Sequence, residues 1–209
     1  MAISNPWRSA YLVLPLALMA CSNAESPNTA SSAPVSKAAQ KVPAPFPSTY
    51  KAYPGVATAI RNVTVYDGEG GKIDNGVVFM SAGKISSVGG PETAIPAGVM
   101  VIDGTDKFVT PGIIDIHSHL GDYPTPSVEA HSDGNEATSP TTPEVWAEHS
   151  VWPQDPGFSR ALANGGVTAL QILPGSANLM GGRSVVLKNV YARTVQGMKF
   201  PDAPYGMKM

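Results

Sequence analysis

Apolar and polar positions change rhythm several times along this chain. Arg8 precedes an apolar run over residues 10–20, which closes in Leu18-Met19-Ala20-Cys21. A bilayer span needs about 20 apolar residues, so this run is too short to cross and has the length of a signal-peptide core. Residues 22–54 show no apolar period and are rich in Ser, Ala, Pro and Asn, as in Ala44-Pro45-Phe46-Pro47. Such a segment cannot bury enough surface to offset its ordering entropy, and residues 21–54 read as a disordered tether.

From residue 57 the pattern becomes that of strands. Ile60, Val63, Val65 and Tyr66 mark one over residues 59–66, broken at Asp67-Gly68. Residues 77–80 and 84–88 flank Ser81-Ala82-Gly83, a hairpin signal with Gly where positive φ is needed. Residues 99–102 add another strand. Strands this short need several partners, so residues 55–110 are expected to form one small sheet or a β-sandwich-type domain.

After the apolar strand at 113–116 the chain turns irregular over residues 121–158, with six prolines from Pro124 to Pro156. A loop this long inside a domain is usually functional or disordered. Two helices are predicted near its end. One spans residues 143–151, with Thr142 as cap and Glu144 in the first turn; the other spans 157–164, with Asp155 near its start. Residues 167–173 form a near-continuous apolar run, as in a parallel strand covered on both faces. Residues 183–191 are again β-like.

Composition narrows the class without naming it. The 209 residues are 43% hydrophobic and 14% charged, with net charge -2. That balance gives no basic patch for a nucleic-acid partner. Twenty prolines and 21 glycines agree with many loops. The single cysteine, Cys21, excludes an intramolecular disulfide. Leu-x-Ala-Cys after an apolar core resembles the lipobox of bacterial lipoproteins, which implies lipidation of Cys21 and a periplasm-facing anchor in the cell envelope; the alternative is an ordinary signal peptide over residues 1–20 and a periplasmic chain. Several acyl chains on one cysteine would hold firmly, at about 0.8 kcal/mol per buried methylene.

The candidate chemistry lies at residues 109–120, Val-Thr-Pro-Gly-Ile-Ile-Asp-Ile-His-Ser-His-Leu. Side chains alternate along a strand, so His117 and His119 share a face, with Asp115 lower on it. Two imidazoles at a strand end are half of a metal site. Taken alone, the pair also reads as two half-buried polar residues. The full run resembles the entry strand of the amidohydrolase superfamily, whose pattern P-G-x-I-D-x-H-x-H stands here as Pro111, Gly112, Ile114, Asp115, His117 and His119. Residues 60–68 and 83–89 resemble the small β domain that precedes the barrel in that family. Residues 165–171 resemble its second barrel strand, and residues 175–182 resemble the loop after that strand in imidazolonepropionase-like members. The resemblance covers roughly residues 57–209.

The resemblance implies an α/β fold: a small β domain followed by the first strands of a (β/α)8 TIM-like barrel over residues 111–209. It also implies a divalent metal, zinc first, that activates water against a carbon–nitrogen bond of a small-molecule amide. The family's other ligands, a carboxylated lysine, two histidines and an aspartate, come from later strands. A full barrel takes about 250 residues, so the barrel is expected to be incomplete here and catalysis to need a second half. Asp115 either orients an imidazole or makes a structural contact in the barrel floor. His131 and His149 are substitute ligands or solvated loop residues. Asn178 is a substrate-loop candidate in a glycine-rich turn that is otherwise structural. Trp146 and Trp152 read as packing anchors for the long loop. The rival expectation is an inactive envelope lipoprotein that uses the open apolar edge of its partial barrel to bind a second chain or a copy of itself.

Overall fold

The computed structural model describes residues 44–131 and 134–209. The expected signal peptide, Cys21 and the tether as far as residue 43 lie outside them. Residues 44–54, also assigned to the tether, carry neither helix nor strand but make specific contacts. Ser48 Oγ donates to Lys199 O at 2.6 Å, Thr49 N to Gln196 O at 2.9 Å, and Tyr53 Oη to Tyr191 O at 2.5 Å.

The β-rich part is one five-stranded mixed sheet around β1 (Thr58–Tyr66). Alternation puts Val63 and Val65 on its buried face, where they pack with Val78, Ile60, Ile73, Met80 and Val109. β2 (Lys72–Ser81) runs antiparallel to β1. It begins earlier than its apolar run suggests, because the pairs Val65↔Ile73 and Tyr66↔Lys72 draw polar residues into the ladder. β3 (Lys84–Gly89) follows through a two-residue turn, Ala82 and Gly83, with φ of 51° and 73°. Positive φ at both central positions is the hairpin geometry that matches strand twist. β4 (Met100–Asp103) and the unforeseen β5 (Phe108–Val109) pair in succession with the other edge of β1, both parallel to it.

The second part begins with β6 (Ile113–Ser118). It leads through the long loop and α1 (Pro156–Gly165) to β7 (Val167–Ile172), which lies parallel to β6. This strand–helix–strand unit is the repeating element of an α/β barrel. Asp155 caps α1 and does more. Its buried carboxylate accepts from Gly157 N at 2.8 Å, Gly121 N at 2.9 Å and Thr125 N at 3.1 Å, binding the helix start to the loop after β6. Gly166, at φ 63°, ends the helix. β8 (Gly182–Arg183) precedes β9 (Val185–Lys188), which lies antiparallel on the far side of β7. A short helix, α2 (Val195–Met198), and β10 (Met207–Lys208), paired with β8, complete the described chain. Leu170, Ile172, Leu187 and Met198 are fully buried and form the core with Val151, Phe158, Val185 and Val195. Each large apolar side chain so buried contributes about 1.5–3 kcal/mol.

The helix expected over residues 143–151 does not form. Only a single 3-10 turn, Ala147–His149, is present. Thr142 is not a cap: its N and Oγ1 both donate to Met180 O, at 2.7 and 3.2 Å. Pro143 O accepts from the Arg183 guanidinium at 2.6 Å. Long-range bonds to residues 180–183 take the groups that a helix start would have used.

Candidate metal centre

β6 presents the candidate residues at its C-terminal end. Asp115 Oδ1 accepts from His117 N at 3.1 Å, so its carboxylate holds the backbone of the motif. The His117 and His119 rings lie 5.3 Å apart at 76°. His119 Nδ1 donates to Leu173 O at 2.8 Å, one residue past β7. That bond fixes the proton on Nδ1 and leaves Nε2 with its lone pair, the state in which a histidine ligates a metal. The edge of Tyr123 packs against His119, ring centres 5.5 Å apart, and Asn135 Nδ2 donates to the Tyr123 hydroxyl at 2.6 Å. Burial pushes the Tyr123 phenol above the usual tyrosine value; the nearby Asp122 charge adds to this and the Asn135 bond opposes it.

The structure adds one residue to this face that the sequence did not announce. Lys208, only 7% exposed, brings its Nζ to 3.3 Å from His117 Nε2. No spacing links the two positions; β10 pairing with β8 carries Lys208 there.

The other sequence candidates lie apart from the pair or are otherwise engaged. Asn178 Nδ2 donates to Glu136 O at 2.5 Å and Ser139 O at 2.7 Å, stitching its loop to residues 136–139. His131 is half-buried against Trp152, ring centres 5.9 Å apart, and His149 is exposed with its ring 4.7 Å from Phe46. Among the described residues, no group of three or more His, Cys, Asp or Glu side chains could hold a metal ion. The two imidazoles therefore fit a divalent metal as half of a coordination sphere, which in catalytic zinc sites has three protein ligands and a water. Trp146 is a packing centre: Phe46 and Tyr205 meet it edge-on at 5.5 and 4.7 Å, and the Arg183 guanidinium sits 4.6 Å over its ring.

Beside Trp146 lies a buried polar cluster with no signal in the sequence. Lys199 Nζ meets Glu148 Oε2 at 2.6 Å and Phe46 O at 2.5 Å and also donates to the Tyr205 hydroxyl; the two charged side chains are 6% and 0% exposed. Tyr205 in turn donates to Glu148 Oε1 at 3.1 Å. Burial raises the Tyr205 phenol above its ordinary value, with Lys199 opposing and Glu148 adding. Each charge is met by its opposite, as burial requires.

Comparison with known proteins agrees with this architecture. No protein-family model matches the chain. Amidohydrolase tasK of Hapsidospora irregularis is 33% identical over 155 residues, which cover 66% of this chain and 16% of that protein. An imidazolonepropionase of Brucella anthropi is 45% identical over 53 residues, covering 24% of this chain and 13% of that protein. The crystal structure of an amidohydrolase from Thermotoga maritima MSB8 superposes with a TM-score of 0.66 at 39% identity, over 73% of this chain and 38% of that one. A β-rich domain, a partial barrel and a histidine pair at the end of its entry strand thus place the chain in the amidohydrolase superfamily. The chain spans well under half the length of these relatives.

Proposed function

We propose that this chain is the front part of a metal-dependent hydrolase that cleaves the carbon–nitrogen bond of a small-molecule amide, linear or cyclic, with His117 and His119 as two of the metal ligands and zinc as the metal. One observation carries the reading. His119 spends Nδ1 on Leu173 O, which frees Nε2 beside His117 at the strand end, the position of active sites in α/β barrels. A bound divalent ion would supply Lewis acidity and a water of lowered pKa. The chain's own part is to fix the two imidazoles: Asp115 holds the backbone of His117, Leu173 O sets the tautomer of His119, and Tyr123 walls its ring. Two imidazoles leave room in a divalent ion's coordination sphere for further ligands and a water.

The test uses the full chain stripped with EDTA and titrated with zinc in a calorimeter, followed by assays of amide and dipeptide hydrolysis. Wild type takes up zinc, and the double variant His117→Ala/His119→Ala does not. Equal uptake by the two would overturn the assignment. Hydrolysis of an amide by the zinc-loaded protein, lost in the double variant, is the expected activity pattern.

A second reading rests on a different observation. Ile113, Ile114 and Ile116 on β6 are 55, 65 and 72% exposed, and the edge of β6 away from β7 carries no strand among the described residues. An apolar edge of this kind favours association, as in a binding module without catalysis. Light scattering on the metal-free chain separates the readings: a monodisperse monomer counts against the second. The domain plan supports a further proposal, that residues 1–20 are a signal peptide and Cys21 is lipidated in the cell envelope. Cys21→Ser would then release the protein from the membrane fraction, and retention of that variant would refute the anchor.

A further inference from the structure

We infer that a cleft next to Tyr123 takes an uncharged planar group of the substrate, a ring or a carboxamide, and that Phe46 is a positioning residue that holds the Trp146–His149 wall of that cleft. The inference rests on the hydrolase reading above and adds to it a place for the substrate and a residue that shapes the place. The cleft has a volume of about 320 Å³, at the low end for ligand pockets. Gly134, Asn135, Glu136 and Pro174 line it together with Trp146 and His149. Tyr123 joins it to the histidine pair. Asn135 Nδ2 donates to the Tyr123 hydroxyl at 2.6 Å, and the same phenol ring meets His119 edge-on. Gly175 N donates to Gly134 O at 2.8 Å, and a Cβ on either glycine would collide with Tyr123. Pro174 follows Leu173, whose carbonyl holds His119.

The lining selects the kind of group. An indole and an imidazole pack well against a flat ring. The Asn135 amide has a second N–H besides the one given to Tyr123, which suits a carbonyl. The Glu136 carboxylate accepts from Thr138 N at 3.0 Å and so serves its own loop. The Arg183 guanidinium already sits 4.6 Å over the Trp146 ring, which disfavours a second cation there. Phe46 reaches this wall from residues 44–53. Its ring lies 4.7 Å from that of His149 and 5.5 Å from that of Trp146. One buried ammonium sets both sides of the contact: Lys199 Nζ donates to Phe46 O at 2.5 Å and to Glu148 Oε2, on the neighbour of His149, at 2.6 Å. Ser48 Oγ on Lys199 O and Thr49 N on Gln196 O hold the strap behind Phe46 against α2. The Phe46 ring is thus fixed by main-chain bonds on its own side and by an ion pair on the other, and the wall it touches is part of the cleft.

The experiment titrates benzamide, a neutral ring with a carboxamide, into the metal-free full chain by saturation-transfer NMR. Wild type is compared with Phe46→Ala, Phe46→Leu, Phe46→Tyr and Tyr53→Phe, each checked for native circular dichroism. Modification of His149 by diethylpyrocarbonate, read by mass spectrometry with and without benzamide, reports where the probe sits. The expected result is saturable binding to wild type that slows His149 modification. Loss of the aromatic edge in Phe46→Ala and Phe46→Leu weakens binding by about fivefold, and Phe46→Tyr restores it. Tyr53→Phe loosens the strap at its bond to Tyr191 O, away from the cleft, and binds as wild type does. Absence of saturable binding, or binding that leaves His149 unprotected, would overturn the site. Wild-type affinity in both Phe46→Ala and Phe46→Leu, or an equal loss in Tyr53→Phe, would overturn the role of Phe46. Should Phe46→Ala fail to fold, Phe46→Leu and the labelling of wild type still decide. Failure of the metal reading looks different, because it shows in zinc uptake by the double histidine variant and leaves benzamide binding untouched.

Discussion

Asp155 shows how much a single side chain does in this fold. Its carboxylate serves the first turn of α1 and two amides of the loop that leaves the histidine strand. The sequence placed it near the start of the helix expected over residues 157–164. That it also reaches Gly121 and Thr125 was not legible, because those partners lie more than 29 residues away. Removing it leaves two or more backbone donors unpaired in a buried place. Asp155→Ala is therefore expected to cost at least about 2 kcal/mol in urea unfolding, from a lost cap and orphaned N–H groups. A loss under about 0.5 kcal/mol would show that water replaces the carboxylate. Lys199, Glu148 and Lys208 illustrate the opposite case. Each is a charged residue with no local pattern around it, and only the tertiary fold gives it a partner.

At the scale of elements, local pattern announced most strands and one of the two helices. β1, β3, β4, β6 and β7 follow from alternation or apolar runs bounded by Gly, Pro and Asp. β5 escaped because two residues carry no period, and the helix over 143–151 failed because Thr142 and Pro143 bond to the chain forty residues on. The Pro-Gly that opens the histidine motif has a physical reason in the packing of β6 on β7. A Cβ on Gly112 would fall 2.1 Å from Thr168 Oγ1 and 2.3 Å from its Cγ2. Gly112→Ala is expected to destabilise by about 1–3 kcal/mol through overpacking. Thr168→Ala should recover part of that loss, a coupling that a double-mutant cycle reads directly. Strict additivity of the two changes would mean that β6 and β7 do not approach so closely in solution.

For the molecule as a whole, the sequence led correctly to a β-rich domain and a partial barrel. It said nothing of the way residues 44–53 fasten onto the barrel part. Phe46 sits between Trp146 and His149 and lends its carbonyl to Lys199, while Ser48 and Thr49 bond to the backbone around α2. Proline-rich composition hides such contacts, because no period marks them. A chain beginning at residue 55 is expected to lose about 2 kcal/mol relative to one beginning at residue 44, a fall in Tm of roughly 4–8 °C by calorimetry. Equal melting temperatures would show that these contacts contribute nothing to stability.

The central claim is that His117 and His119 together ligate one divalent ion. X-ray absorption at the zinc edge, on the full chain loaded with one equivalent of zinc, addresses it most directly. The account predicts imidazole scattering with nitrogen neighbours at about 2.0–2.1 Å, and its loss in His117→Ala/His119→Ala. The same imidazole signature persisting in the double variant, or none in the wild type, would contradict it.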